Sequence, residues 1–210
     1  MSPLNQLLEL TAHKNPKFIN NENNRPIISL THNVYNSATD SNIKYLQDAL
    51  NGVAPELIEL YKITDGLELF ANVDDQEECF FILDINNFLE EKNELEEWLK
   101  IGMNDPDYEY GEECGEDGEL ELFGIPPWWD TAVVFAGWGY APERFFVVTE
   151  GPNIGEVFHF DHESNCSTRI AMSINELFSK ITREPVSFIQ NYGVMYYNIE
   201  KYEADSLKLT

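Results

Sequence analysis

The densest run of side chains able to do chemistry is His159-Phe160-Asp161-His162-Glu163, two imidazoles and two carboxylates within one short segment. Imidazole and carboxylate together can hold a divalent metal or exchange a proton near neutral pH. The alternation of Glu156-Val157-Phe158-His159-Phe160-Asp161 predicts a strand, and successive strand side chains leave opposite faces. On that pattern His159 and Asp161 share a face and His162 takes the other, so no common ion is expected. Asp105-x-Asp107-x-Glu109-x-Gly111 begins like a calcium loop, but its glycine falls one place late and Pro106 stiffens it. The sequence contains no GxSxG, HExxH or phosphate-loop pattern. His13 and His32 have no ligand-like neighbours along the chain. Cys79, Cys114 and Cys166 are odd in number and show no CxxC spacing, which points to neither a disulfide framework nor a zinc site. The expectation is a protein that is not an enzyme, with no catalytic residues, metal or cofactor.

Charge is the stronger signal. The formal net charge of the 210 residues is −25. Between Asp65 and Glu121 there are 21 acids against two bases, Lys92 and Lys100, so most of the imbalance lies in one continuous stretch. Such a field disfavours nucleic acid, which is bound by Lys and Arg that displace counterions from phosphate, and it disfavours anionic lipid. It suits a basic protein surface or another cation. Residues 102–121 hold nine acids, no Lys or Arg, and glycines at 102, 111, 115 and 118. They are expected to form a long, mobile acidic loop. Asp105, Asp107, Glu109, Glu112, Glu113, Glu116 and Asp117 are therefore candidate partner-binding charges. Trp128 and Trp138, both in turn-rich surroundings, are candidates either for the core or for an exposed aromatic anchor at an interface.

The elements that must position these groups follow from periodicity. Ser2-Pro3 opens a short helix carrying Leu4, Leu7 and Leu8 and ending near Lys14, and Asn15 to Asn24 reads as loop. Ile27 to Leu30 is a short strand, and a helix from Asp40 or Ser41 stops at Asn51-Gly52. Pro55 opens a helix closed by Asp65-Gly66. Strands at Leu69-Phe70 and Cys79 to Leu83 flank an acidic hairpin, and a helix then runs to Lys100 with Phe88, Leu95, Trp98 and Leu99 inward. Thr131 to Phe135, Arg144 to Thr149 and Glu156 to Asp161 are strands. Ser173 and Glu176 form a capping box for a helix with Ile174, Leu177, Phe178 and Ile181 on one stripe. Pro185 begins a last short helix, and a polar tail follows from Glu200. The expected core contains Leu57, Leu60, Tyr61, Phe81, Val133, Phe146, Val148, Phe158, Leu177 and Phe178.

The order of these pieces carries a resemblance. Ala54-Pro55-Glu56-Leu57-x-x-Leu60-Tyr61-x-x-x-Asp65-Gly66 is followed by Arg144-Phe145-Phe146, by Gly155-Glu156-Val157-Phe158 with Asp161-His162, and by Ala171-Met172-Ser173-Ile174-Asn175-Glu176-Leu177-Phe178. This succession, roughly Val53 to Arg183, resembles the SUKH superfamily of fungal cell-wall-synthesis regulators and bacterial immunity proteins. The resemblance implies an α+β fold, a single domain whose mainly antiparallel sheet is flanked by helices. It also implies a non-enzymatic binder, in bacteria commonly the antidote to a toxin domain, often a nuclease, whose basic active site an acidic inhibitor fits. A general scaffold or regulatory interaction module is the alternative. The organisation expected is a helical extension over 1–52 packed on the domain, the SUKH-like domain over 53–199 with the acidic loop, and a polar tail over 200–210. With no basic leader and no apolar stretch of membrane-spanning length, the expected location is cytoplasmic, and oligomeric state stays open.

Overall fold

The computed structural model describes residues 1–19, 28–75, 78–101, 111–114, 119–139, 141–193 and 199–205. Its elements are α1 (Pro3–Thr11), β1 (Lys14–Ile19), β2 (Ile28–Val34), α2 (Asp40–Leu50), α3 (Pro55–Tyr61), β3 (Leu67–Asn72), β4 (Phe80–Ile82), α4 (Phe88–Ile101), β5 (Gly111–Cys114), β6 (Leu120–Phe123), β7 (Val133–Trp138), β8 (Arg144–Val147), β9 (Val157–Asp161), β10 (Cys166–Ala171), α5 (Ile174–Arg183), α6 (Pro185–Tyr192) and β11 (Lys201–Asp205). The strands form one eleven-stranded sheet in the order β11-β1-β2-β3-β4-β7-β8-β9-β10-β6-β5. Every pairing is antiparallel. The fold is α+β and a single domain. No helix among the described residues is long and apolar enough to cross a membrane.

Helix boundaries follow local chemistry. Ser2 accepts the Asn5 N–H at 3.2 Å ahead of Pro3. Thr39 accepts the Asn42 N–H at 3.2 Å, and Asn51 ends α2 in the left-handed conformation. Ser173 accepts the Glu176 N–H at 3.2 Å, while the Glu176 carboxylate accepts the Met172 N–H at 2.9 Å. The three cap oxygens satisfy N–H groups that the first helical turn leaves without a partner, and Glu176 ties down the residue before its cap.

Both faces of the sheet are covered, because β8 carries consecutive aromatics. Phe145 meets the α6 rings Phe188 and Tyr192 at centroid distances of 6.0 and 6.4 Å. Phe146, on the opposite face, meets Trp129 at 5.2 Å and stacks on Phe158 at 5.5 Å. Arg144 shares the Phe146 side and pairs with Glu91 of α4, which places α4 on that face. Nine of the ten expected core residues are buried. Phe81 is only partly buried and packs against the core's edge, where the Arg144 guanidinium lies over its ring.

Both chain ends differ from expectation. Residues 1–52 do not form a helical extension: besides α1 and α2 they supply β1 and β2 to the sheet. Asn15 to Ile19, read as loop, lies in β1, with Asn15 in a left-handed conformation and an irregular register between Lys14 and Lys17. The bulge accommodates Pro16, which has no N–H to give. The part of the polar tail over 201–205 is β11, which pairs with β1 through Phe18↔Tyr202. Local composition hid both strands because their partner lies at the other end of the chain.

Tyr202 also explains the two unassigned histidines. Its hydroxyl lies 3.0 Å from His13 Nδ1 and 3.3 Å from His32 Nε2. His32 Nδ1 accepts the Phe70 N–H at 3.2 Å, so its proton sits on Nε2 and is donated to Tyr202, whose hydroxyl also bonds His13 Nδ1. Burial, with a smaller repulsion from His13, pushes His32 down to about 4 from 6.5. The unfolded chain therefore takes up a proton at His32 below pH 6.5 and the folded chain only near 4, so folding stability rises with pH across that window. His32→Gln, whose amide oxygen can still accept the Phe70 N–H, is expected to flatten this part of the unfolding-free-energy profile relative to wild type, measured by denaturant titration at a series of pH values. Phe146→Ala is expected to lose ~3–5 kcal/mol in the same assay, because a fully buried ring leaves a cavity.

Candidate functional site

The structure brings together a cluster that strand alternation separated. Glu143 precedes β8 and is 3% exposed. Its Oε2 lies 3.1 Å from His159 Nε2 and its Oε1 lies 3.1 Å from His162 Nδ1. The expectation that His162 points away from His159 and Asp161 fails because β9 ends at Asp161. His162 lies in the following turn, where period two no longer applies, and it folds back over the strand end. One ligand atom from each of Glu143, Asp161 and His162 lies within 4.8 Å of the others.

Each member is held from outside the cluster. Phe145 and Tyr192 pack on the His159 ring at 4.7 and 5.4 Å between centroids, and Trp98 of α4 meets the His162 ring edge-on at 6.1 Å. Asp161 caps its turn, accepting the Glu163 N–H at 2.8 Å and the Ser164 hydroxyl at 2.8 Å. Glu143 is fixed by the closure of the β7–β8 hairpin. Its carbonyl accepts the Trp138 N–H at 3.2 Å, and the Arg144 guanidinium donates to the carbonyls of Ala141 and Glu143 at 2.8 and 3.0 Å. Gly137 makes this possible, since a Cβ there would stand 2.7 Å from the Glu143 carbonyl oxygen and 2.8 Å from the Arg144 side chain. A buried ionised carboxylate is tolerated only when its oxygens are satisfied, and here each oxygen has its own imidazole.

The thiols of Cys79 and Cys166 are buried. Burial pushes the Cys79 thiol up to about 12, with a smaller contribution from Glu68, and burial also raises Cys166. Neither supplies a thiolate near neutral pH.

The expected interface residues scatter. Asp105, Asp107, Glu109, Glu116 and Asp117 lie outside the described residues, and with them all three acids of the calcium-like run. Glu112 and Glu113 are exposed, but they belong to β5 rather than to a loop, since β5 and β6 form a hairpin at the edge of the sheet. That corrects the acidic loop over 102–121 for 111–114 and 120–121: once β10 offers its free edge to β6, pairing outweighs the poor strand propensity of glutamate. Trp128 and Trp138 are 8% and 0% exposed, and both are core residues rather than interface anchors. Trp128 packs toward Phe146 and Phe158, and Trp138 toward Phe80 and Phe188.

An exposed tryptophan is instead found at Trp98, expected inward and 37% exposed. Core contact on α4 is taken by Phe88, Leu95 and Leu99, all buried, and helical spacing puts Trp98 on their flank. The solvent side of α4 displays Glu90, Glu94 and Glu97. Both lysines of this helix are engaged: Lys100 pairs with Glu96 at 2.7 Å and Glu97 at 3.3 Å, and Lys92 donates to the Asp130 carbonyl at 2.7 Å while lying over the Trp129 ring. On the other flank Leu89 is 61% exposed and faces Tyr45 of α2, 51% exposed, across a groove of about 490 Å³. Asp48, Asp130 and Glu150, all exposed, rim that groove.

No protein-family model matches the chain, and no curated protein matches it.

The packing of Glu143 yields a direct test. Glu143→Ala leaves the buried His159 N–H without an acceptor and is expected to destabilise the fold by ~1–3 kcal/mol in denaturant unfolding. Glu143→Gln keeps an acceptor for one ring and should cost less; equal losses would mean that volume rather than hydrogen bonding holds the site.

Proposed function

We propose that this chain is a non-catalytic binding protein, a cytoplasmic immunity protein of the SUKH type that captures and neutralises a cognate toxin domain with a basic surface. The observation that carries the reading is α4. Its exposed side presents Glu90, Glu94 and Glu97 while its two lysines are engaged within the chain, and Leu89 beside it lines, with Tyr45 and the Lys92 side chain, a groove of mixed polarity under an acidic rim. Such a groove suits the side chains of lysine and arginine, whose alkyl stems lie on apolar surface while the charged heads reach carboxylates. The net charge of −25 would steer a basic partner toward it and discourage acidic ones. A nuclease is one such partner, because a phosphate-binding site is basic. The succession of segments that resembles the SUKH superfamily supports the same reading, as does the α+β fold.

The test is co-purification with the product of the neighbouring gene, followed by inhibition of that product's toxic activity. Stoichiometric capture with loss of toxicity is the expected outcome; capture without inhibition would favour a scaffold role, and undiminished toxicity at saturating protein would overturn the immunity reading. The triple variant Glu90→Gln, Glu94→Gln, Glu97→Gln is expected to slow association ~10-fold or more at low salt. Dissociation should change less, and the difference should shrink at 1 M salt, where the Debye length falls to ~3 Å. Stopped-flow mixing at two salt concentrations measures both.

A further inference from the structure

The geometry points to a divalent transition-metal site, of zinc type, formed by Glu143, Asp161 and His162 at the end of β9. The three side chains supply two carboxylates and an imidazole, a donor set that suits Zn²⁺ or a neighbouring first-row ion better than Mg²⁺ or Ca²⁺, which prefer oxygen alone. Their ligand atoms lie within 4.8 Å of one another. In a tetrahedral zinc site, ligand atoms ~2.0–2.2 Å from the ion stand ~3.3–3.6 Å from one another, so closing the set asks for a movement of about 1.4 Å at most between the widest pair. Those movements fall on the two more exposed members. Asp161 at the end of β9 and His162 in the turn after it are partly exposed, whereas Glu143 is 3% exposed and fixed by the hairpin.

The surroundings supply what a metal site needs beyond its ligands. His159 Nε2 lies 3.1 Å from Glu143 Oε2, and that bond can persist while the other oxygen, Oε1, turns to the ion. An imidazole donor behind a ligating carboxylate orients it and tunes its charge. His162 presents Nδ1 toward Glu143 Oε1 at 3.1 Å. To coordinate through that atom the neutral ring needs only its other tautomer, with the proton on Nε2, so binding breaks one N–H···O contact and replaces it with a metal bond to each partner. The side chain of His162 is 26% exposed, which leaves solvent to complete the coordination, and Trp98 shields one edge of the ring. The chain's negative field raises the local concentration of any cation.

Calorimetric titration of Zn²⁺ into the chelator-stripped full chain tests this, with Co²⁺ as an absorbing probe of the same site. A chain with 38 acids binds many cations weakly, so the criterion is one tight equivalent standing apart from that background. His162→Ala and Asp161→Asn are each expected to weaken this equivalent at least 10-fold and to abolish the visible Co²⁺ bands, while His13→Ala, at the far edge of the sheet, leaves both unchanged. Zn²⁺ should also raise the Tm of wild type but not of Asp161→Asn, a reading that shows at once whether the variant is folded. A titration without a tight equivalent, or one that His162→Ala leaves intact, overturns the assignment; neither result bears on toxin binding, which α4 carries.

Discussion

Phe145 and Phe146 are neighbours on β8, and their rings leave opposite faces of the sheet. Phe145 reaches Phe188 and Tyr192 of α6, and Phe146 reaches Trp129 and Phe158. One dipeptide thus joins the two layers that cover the sheet, and the rest of the molecule depends on that junction. Large rings at ~4.5–7 Å bury much apolar area and fix relative orientation through edge-to-face contact. The residues on either side of the pair inherit its geometry. Arg144, one place earlier, lies on the Phe146 side and ties α4 through Glu91. Glu143, before the strand begins, is carried to His159 on the Phe145 side.

That inheritance separates two uses of negative charge. Most of the acids are solvated, and in water they contribute little to stability while shaping the field around the molecule. The outermost strands make use of this as well. Glu112 and Glu113 on β5, and Lys201, Glu203 and Asp205 on β11, place charges along edges whose free backbone groups would otherwise invite another chain. Glu143 is the opposite case. It is buried and bound on both oxygens, and its position is set by Gly137, by Arg144 and by two histidines rather than by solvation.

Much of the fold was legible in the chain's local patterns. The helix caps at Ser2 and Ser173, the Asn51-Gly52 stop, the buried stripe of α5 and the strands β3, β4, β7, β8 and β9 follow from periodicities and turn residues that act over a few positions. The concentration of acids around α4 is equally a property of the sequence, and with it the expectation of a basic partner. The SUKH resemblance, and the function proposed from it, rest on the succession of such segments.

Other features depend on partners far away in the chain. β1 and β11 join residues near the two ends, and neither Asn15-Asn-rich composition nor a polar tail announces a strand until Tyr202 finds Phe18, His13 and His32. β5 and β6 are strands because β10 leaves an edge to be paired. Helical spacing allowed Trp98 either side of the core boundary, and the placement of α4 against β7 and β8 put it outside. Alternation correctly placed His159 on its face but could not follow His162 beyond the strand's last residue, nor bring in Glu143 from another hairpin. Sequence acts through local periodicity, and so it determined the helices, the central strands, the core stripes and the charge; which distant residues meet, and therefore the Glu143 cluster and the strands β1, β5, β6 and β11, was decided only when the sheet closed their separation in space.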